Sequence, residues 1–179
     1  MKRLAWGLLI LALVGCEQRY DVDYLPLASS VAPEGVAAPE GEFVVPFLGE
    51  AGQSRLTLAV TLDELNTGTD WSPWVTAGFT SIDKLRQVKA FVAAPDRDSE
   101  TLSGGYQLIE AGKIQKQVTL ITGEPGSRTM QVQLVRGAGG AVYIRVGDRE
   151  ARVTLPTGEP LFPVVLVASA TASLRWQAD

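Results

Sequence analysis

The chain has 179 residues, a formal net charge of −4, 46% hydrophobic and 20% charged residues, no His and a single Cys. This apolar content suffices for one packed core, and the length is too short for two large domains; the acid excess gives a nucleic-acid partner no electrostatic footprint. Without imidazole, Ser-His-Asp and Cys-His catalysis and His-based zinc chemistry are excluded, and one Cys cannot form a disulfide within the chain.

Lys2 and Arg3 precede an apolar run from Leu4 to Val14. The run falls short of the ~20 residues that span a bilayer and has the length of a secretory hydrophobic region. It ends in Leu13-Val14-Gly15-Cys16, which resembles the lipobox of bacterial lipoproteins. The resemblance implies cleavage after residues 1–15, a diacylglyceryl group on the Cys16 sulfur and acylation of its amino group, with no other cofactor expected. Two or three acyl chains anchor a protein stably, at ~0.8 kcal/mol per buried CH₂. Processing removes Lys2 and Arg3 and leaves Lys84, Lys89, Lys113 and Lys116 as the lysines. Acyl groups rather than a basic patch are therefore expected to hold the protein to its membrane. In enteric bacteria Asp after the lipidated Cys tends to retain lipoproteins in the inner membrane. Glu17 stands there instead, which points to the cell envelope with the outer membrane favoured.

Residues 16–42 read as the lipidated Cys and a flexible, disordered tether. Val31-Ala32-Pro33-Glu34-Gly35 is echoed by Ala37-Ala38-Pro39-Glu40-Gly41, a composition that resists both helix and sheet. Square-root scaling gives such a chain an average span of ~28 Å. Within it, Tyr20 to Leu27 is the one stretch that also suits an irregular first strand.

Residues 43–179 read as an all-β domain. Leu56, Leu58, Val60 and Leu62 alternate with polar or small residues, the pattern of a half-buried strand. The spacing of Ile82, Leu85, Val88 and Val92 predicts a short helix or helical turn capped by Ser81, running into a strand at Lys89 to Ala93. Strands follow at 117–122, 129–136, 142–146, 150–155, 164–167 and 170–176. Gly147-Asp148 fits a type II′ hairpin turn and Gly137-Ala138-Gly139-Gly140 a hairpin loop. Turn signals every eight to twelve residues or so suit an antiparallel sandwich. Residues 129–177 resemble the concanavalin-like jelly rolls that include laminin-G-like and SPRY modules. The likeness is carried by Met130 to Arg136, Ala141 to Asp148, Arg152 to Leu155 and Leu161-Phe162-Pro163-Val164-Val165 before a strand ending in Trp176. It implies a jelly-roll-like sandwich and assigns no binding residue.

Four groups of residues suggest chemistry. Trp71-Ser72-Pro73-Trp74, with Asp70 and Asn66 beside it, forms either an aromatic platform for a sugar ring or a pair of caps on the core. Asp96, Asp98 and Glu100 alternate as hard oxygen ligands do at the start of a calcium loop; a solvated acidic loop accounts for them as well, and no metal is assigned. Ser81-Ile82-Asp83-Lys84 matches S-x-x-K, but the K-T-G and S-D-N elements of penicillin-recognising enzymes are missing. Glu100 with Glu110, or Asp63 with Asp70, offers carboxylate pairs with no spacing that singles one out. The sequence thus reads as a lipid-anchored envelope protein with a non-enzymatic β-sandwich that binds or scaffolds an envelope protein or glycan. The alternative is a carbohydrate-binding or carbohydrate-active module using the Trp71/Trp74 loop.

Overall fold

Leu56, Leu58, Val60 and Leu62 are each no more than 1% exposed and form the central row of the core. A computed structural model describes residues 25–26, 36–37, 44–65, 74–94, 101–155, 158–168 and 170–178. In chain order the strands are β1 (Leu25–Pro26), β2 (Val36–Ala37), β3 (Val44–Leu48), β4 (Arg55–Leu65), β5 (Trp74–Ser81), β6 (Gln87–Ala93) and β7 (Ser103–Glu110). They continue with β8 (Lys113–Thr122), β9 (Thr129–Arg136), β10 (Ala141–Val146), β11 (Arg149–Thr154), β12 (Leu161–Ala168) and β13 (Ala170–Ala178). Two sheets result, one ordered β1-β3-β12-β5-β6-β7-β8 and the other β11-β10-β9-β4-β13-β2. All neighbours pair antiparallel except β1 with β3. The chain is a jelly-roll-like β-sandwich, as its alternating strands predict.

The inner faces meet in one continuous core. The six-stranded sheet contributes the β4 leucines with Val132, Leu134, Val142, Ile144 and Val153; the seven-stranded sheet contributes Val75, Phe79, Val88, Val92, Tyr106 and Val165. Removing apolar area from water at about 25 cal/mol per Å² is the main force holding the two layers together. The turns follow their residues. Gly147 has φ 59 while Asp148 stays in the ordinary region, the type II′ pattern that fits the twist of β10 and β11. Gly137–Gly140 joins β9 to β10 through a short 3-10 turn at Ala138–Gly140.

One expectation changes. No α-helix forms at 81–92: Ser81 ends β5, a turn follows, and β6 begins at Gln87. The Ser81 hydroxyl bonds the Asp83 carboxylate and accepts from the Arg86 amide at 3.1 Å, while Asp83 Oδ1 accepts from the Leu85 amide at 3.0 Å. Side-chain oxygens thus take the donors that a helix would need, and the chain closes into a turn. Ile82 and Leu85 are consequently 66% and 46% exposed, while Val88 and Val92 are buried as alternate residues of a strand. The helical spacing came from joining a turn to a strand. Within residues 16–42 two short pieces pair with the domain, the first of them inside the Tyr20 to Leu27 stretch that suits an irregular first strand. Leu25–Pro26 lies along Phe47 and Leu48 of β3, and Val36–Ala37 along Ala172 and Thr171 of β13.

Candidate functional site

The outer face of the seven-stranded sheet is unusual because its centre, along β5 and β6, is buried as well. Strand β5 shows no inside–outside alternation: every residue from Val75 to Ser81 is buried. Val75, Ala77 and Phe79 belong to the core, so Trp74, Thr76, Gly78 and Thr80 point the other way. The register places Trp74 beside Ala93 and Ser103, Thr76 beside Phe91 and Gly105, and Gly78 beside Lys89 and Gln107, with Gln117 next in that row.

A depression of about 180 Å³ opens on this face, lined by Trp74, Thr76, Phe91, Ala93, Gln107 and Gln117. Small residues make room for it. A Cβ on Gly105 would lie 1.9 Å from the Val118 carbonyl oxygen and 2.8 Å from the Phe91 ring, which occupies the space a side chain would take. The half-buried Trp74 indole and the Phe91 ring supply flat apolar surface. Gln107 Nε2 donates to Gln117 Oε1 at 2.8 Å, which fixes both amides and leaves the Gln117 NH₂ and the second lone pairs for a ligand. Thr76 is 4% exposed, and its Oγ1 is buried without a hydrogen-bond partner among the described residues. A buried hydroxyl without a partner is costly, so Thr76 Oγ1 has hydrogen-bonding capacity to spare at the depression.

Lys89 adjoins two of the lining residues: it lies directly opposite Gln107 and two residues from Phe91 on the same face of β6. It is 8% exposed, and no ion pair or hydrogen bond reaches its ammonium among the described residues. Burial pushes its ammonium pKa down from 10.5 to about 8.

Among the described residues, Trp74 is the one nominated from the sequence that reaches this site. It is the first residue of β5 rather than the tip of a loop. Trp71, Asp70, Asn66, Asp96, Asp98 and Glu100 lie outside the described residues, as do the side chain of Asp63 and hence both carboxylate pairs. Glu110 ends β7 at the turn to Lys113, away from the depression. The S-x-x-K match has a structural role: Ser81 is fully buried and bonded within its own turn. The hydrogen bond from Ser81, reinforced by the Leu85 amide, holds the Asp83 carboxyl below the usual carboxylate range. Thr76, Phe91, Gln107, Gln117 and Lys89 were not nominated. Lys89 carried the one available signal, a single charge inside Val88-Lys89-Ala90-Phe91-Val92.

No family model and no curated protein matches this chain. Solved structures do. An alginate lyase from Pseudomonas aeruginosa is similar at 10% identity and a TM-score of 0.55, over 71% of this chain and 64% of the enzyme, so the chain spans less than two thirds of that enzyme. A carbohydrate-binding module from Bacillus subtilis is 14% identical over 87% of this chain and 98% of its own length, with a TM-score of 0.47. Toad ovary galectin in complex with thio-digalactose is 8% identical over 75% of this chain and 98% of its own, also with a TM-score of 0.47. At such identity the likeness to the lyase is one of fold, that of a two-sheet sandwich.

Proposed function

We propose that this chain is a non-enzymatic saccharide-binding protein of the bacterial cell envelope, with the sugar seated on the outer face of the seven-stranded sheet. One observation carries the reading: two aromatic rings, a fixed pair of amides and an unpartnered Thr76 hydroxyl converge on one open depression. Sugar rings present C–H faces that pack on indole and phenyl surface, and hydroxyls that pair with amide and hydroxyl groups. The solved structures similar to this chain include a carbohydrate-binding module, a galectin with a bound sugar and an alginate lyase, names that agree with the reading.

Titration of the full chain with a panel of oligosaccharides tests it. Trp74→Ala is expected to weaken binding by on the order of 2 kcal/mol, as loss of a central aromatic contact does. Its denaturant midpoint should move little, because the ring is half-buried at a strand end. A large fall in that midpoint would make Trp74 a cap on the core. Release of shorter sugars during the titration would replace the binding reading with an enzymatic one.

Anchoring belongs to the same proposal. Cys16 is the chain's one thiol, and it stands just after the apolar run from Leu4 to Val14. Cys16→Ala is expected to abolish incorporation of a labelled fatty acid and to release the protein from the membrane fraction. Equal labelling of the two forms would refute lipidation.

A further inference from the structure

Lys89 has no evident structural reason to carry a charge. On the outer faces of β5 to β8 and of β12 it is the one charged side chain among the described residues; its neighbours there are Gly78, Gln87, Phe91, Gln107 and the threonines of β5. A lysine buried without a counter-ion destabilises a fold, and cores seldom keep one. This lysine nevertheless sits at the centre of the sheet, opposite Gly78, where the backbone of β6 packs so closely that a Cβ would come within 2.0 Å of the Val88 carbonyl oxygen and 2.7 Å of the Lys89 Cα, so that no side chain and no counter-ion stands opposite it on β5. The depression next to it contains amides, a hydroxyl and aromatic rings but no carboxylate. Every part of a sugar finds a counterpart on this face, and the one group left over is a cation.

Resting on the saccharide reading, we infer that the site selects anionic sugars, with Lys89 as the residue that meets the carboxylate or sulfate. The ligand's anion supplies the counter-charge that the fold withholds. In a poorly hydrated setting an ammonium–carboxylate hydrogen bond is stronger than one between neutral groups. Gln107 and Gln117 then serve the hydroxyls of the same or the adjoining ring, and the aromatic rings serve its C–H face. No other titratable group faces Lys89 from β5, β7 or β12 among the described residues. Its own protonation therefore sets the pH dependence of anion recognition. A bound anion stabilises the charged form, so above about pH 8 binding must take up a proton and weakens.

Calorimetric titration of the full chain with oligogalacturonides, sulfated galacto-oligosaccharides and neutral galacto-oligosaccharides of equal length decides the matter. At about pH 6.5 one of the anionic series should bind on the order of 10- to 100-fold tighter than the neutral one, the range for a hydrogen bond to a charged group. Whichever series binds tighter identifies the anion. The preference should shrink as the pH is raised through the lysine's titration. Lys89→Met should bind all three series alike, and Lys89→Arg should keep the preference. Equal binding of neutral and anionic series by the wild type, or a preference surviving in Lys89→Met, would overturn the assignment of Lys89 and leave the saccharide reading standing. Failure of all three series to bind would remove both. Melting curves of the two variants exclude misfolding as the cause.

Discussion

Gly105→Ala is expected to destabilise the domain by ~3 kcal/mol or more, at or beyond the upper end for overpacking a closely packed site. The added methyl would lie 1.9 Å from the Val118 carbonyl oxygen and within 2.9 Å of two Phe91 ring atoms. Those atoms cannot all yield. The carbonyl belongs to the β7–β8 ladder, and Phe91 is 7% exposed against the same strand. The substitution should also abolish ligand binding, since a displaced Phe91 closes the depression that its ring lines. Denaturant midpoints and a sugar titration measure both effects. An unchanged midpoint would mean that β7 and β8 do not approach as closely as described.

The second large effect has the opposite sign. Lys89→Met should stabilise the domain near neutral pH by about 3 kcal/mol, the free energy equivalent of moving an ammonium from its ordinary pKa to the buried one. The methionine keeps most of the side chain's volume and removes the charge. Between about pH 8 and 10.5 the unfolded chain binds more protons at this position than the folded one, so wild-type stability rises with pH across that window. The advantage of Lys89→Met is full below that window and vanishes above it. A pH-independent difference would trace the effect to packing. A stabilised variant that no longer distinguishes anionic sugars would show a group kept for recognition at the expense of stability, a trade common at binding sites.

How far the sequence revealed this molecule depended on how many faces of each strand are covered. Strand β4 was legible because one face meets the core and the other meets solvent, which imposes a period of two on Leu56 to Leu62. Strand β5 was not, because Trp-Val-Thr-Ala-Gly-Phe-Thr-Ser is buried on both sides and selection for alternation is absent. The hairpin at Gly147 was legible because only glycine adopts its φ readily. The turn at Ser81 was obscured because four apolar residues happen to recur at helical intervals, while the hydrogen bonds that decide the matter involve Ser81 and Asp83. The site was the least legible part. Trp74 announced itself by its size, but Thr76, Gln107 and Gln117 come from three different strands and become neighbours only through register. No spacing along the chain encodes that.

The sheet ends remain. Each sheet has one margin occupied by a two-residue strand, β1 in one and β2 in the other. The opposite margin of the seven-stranded sheet is β8, ten residues long and exposed along most of its length. Unpaired amides and carbonyls in such a row are a template on which a second chain can add. Two features oppose this. Lys113 and Lys116 stand on the strand, so an identical strand laid alongside meets like charge. The register of β8 against β7 also slips twice, between Gly104 and Gly105 and between Leu108 and Ile109, which interrupts the straight run of donors that stacking requires. The margin is therefore self-limiting: among the described residues no further strand pairs with it, yet copies of the chain brought close together are kept from joining along it.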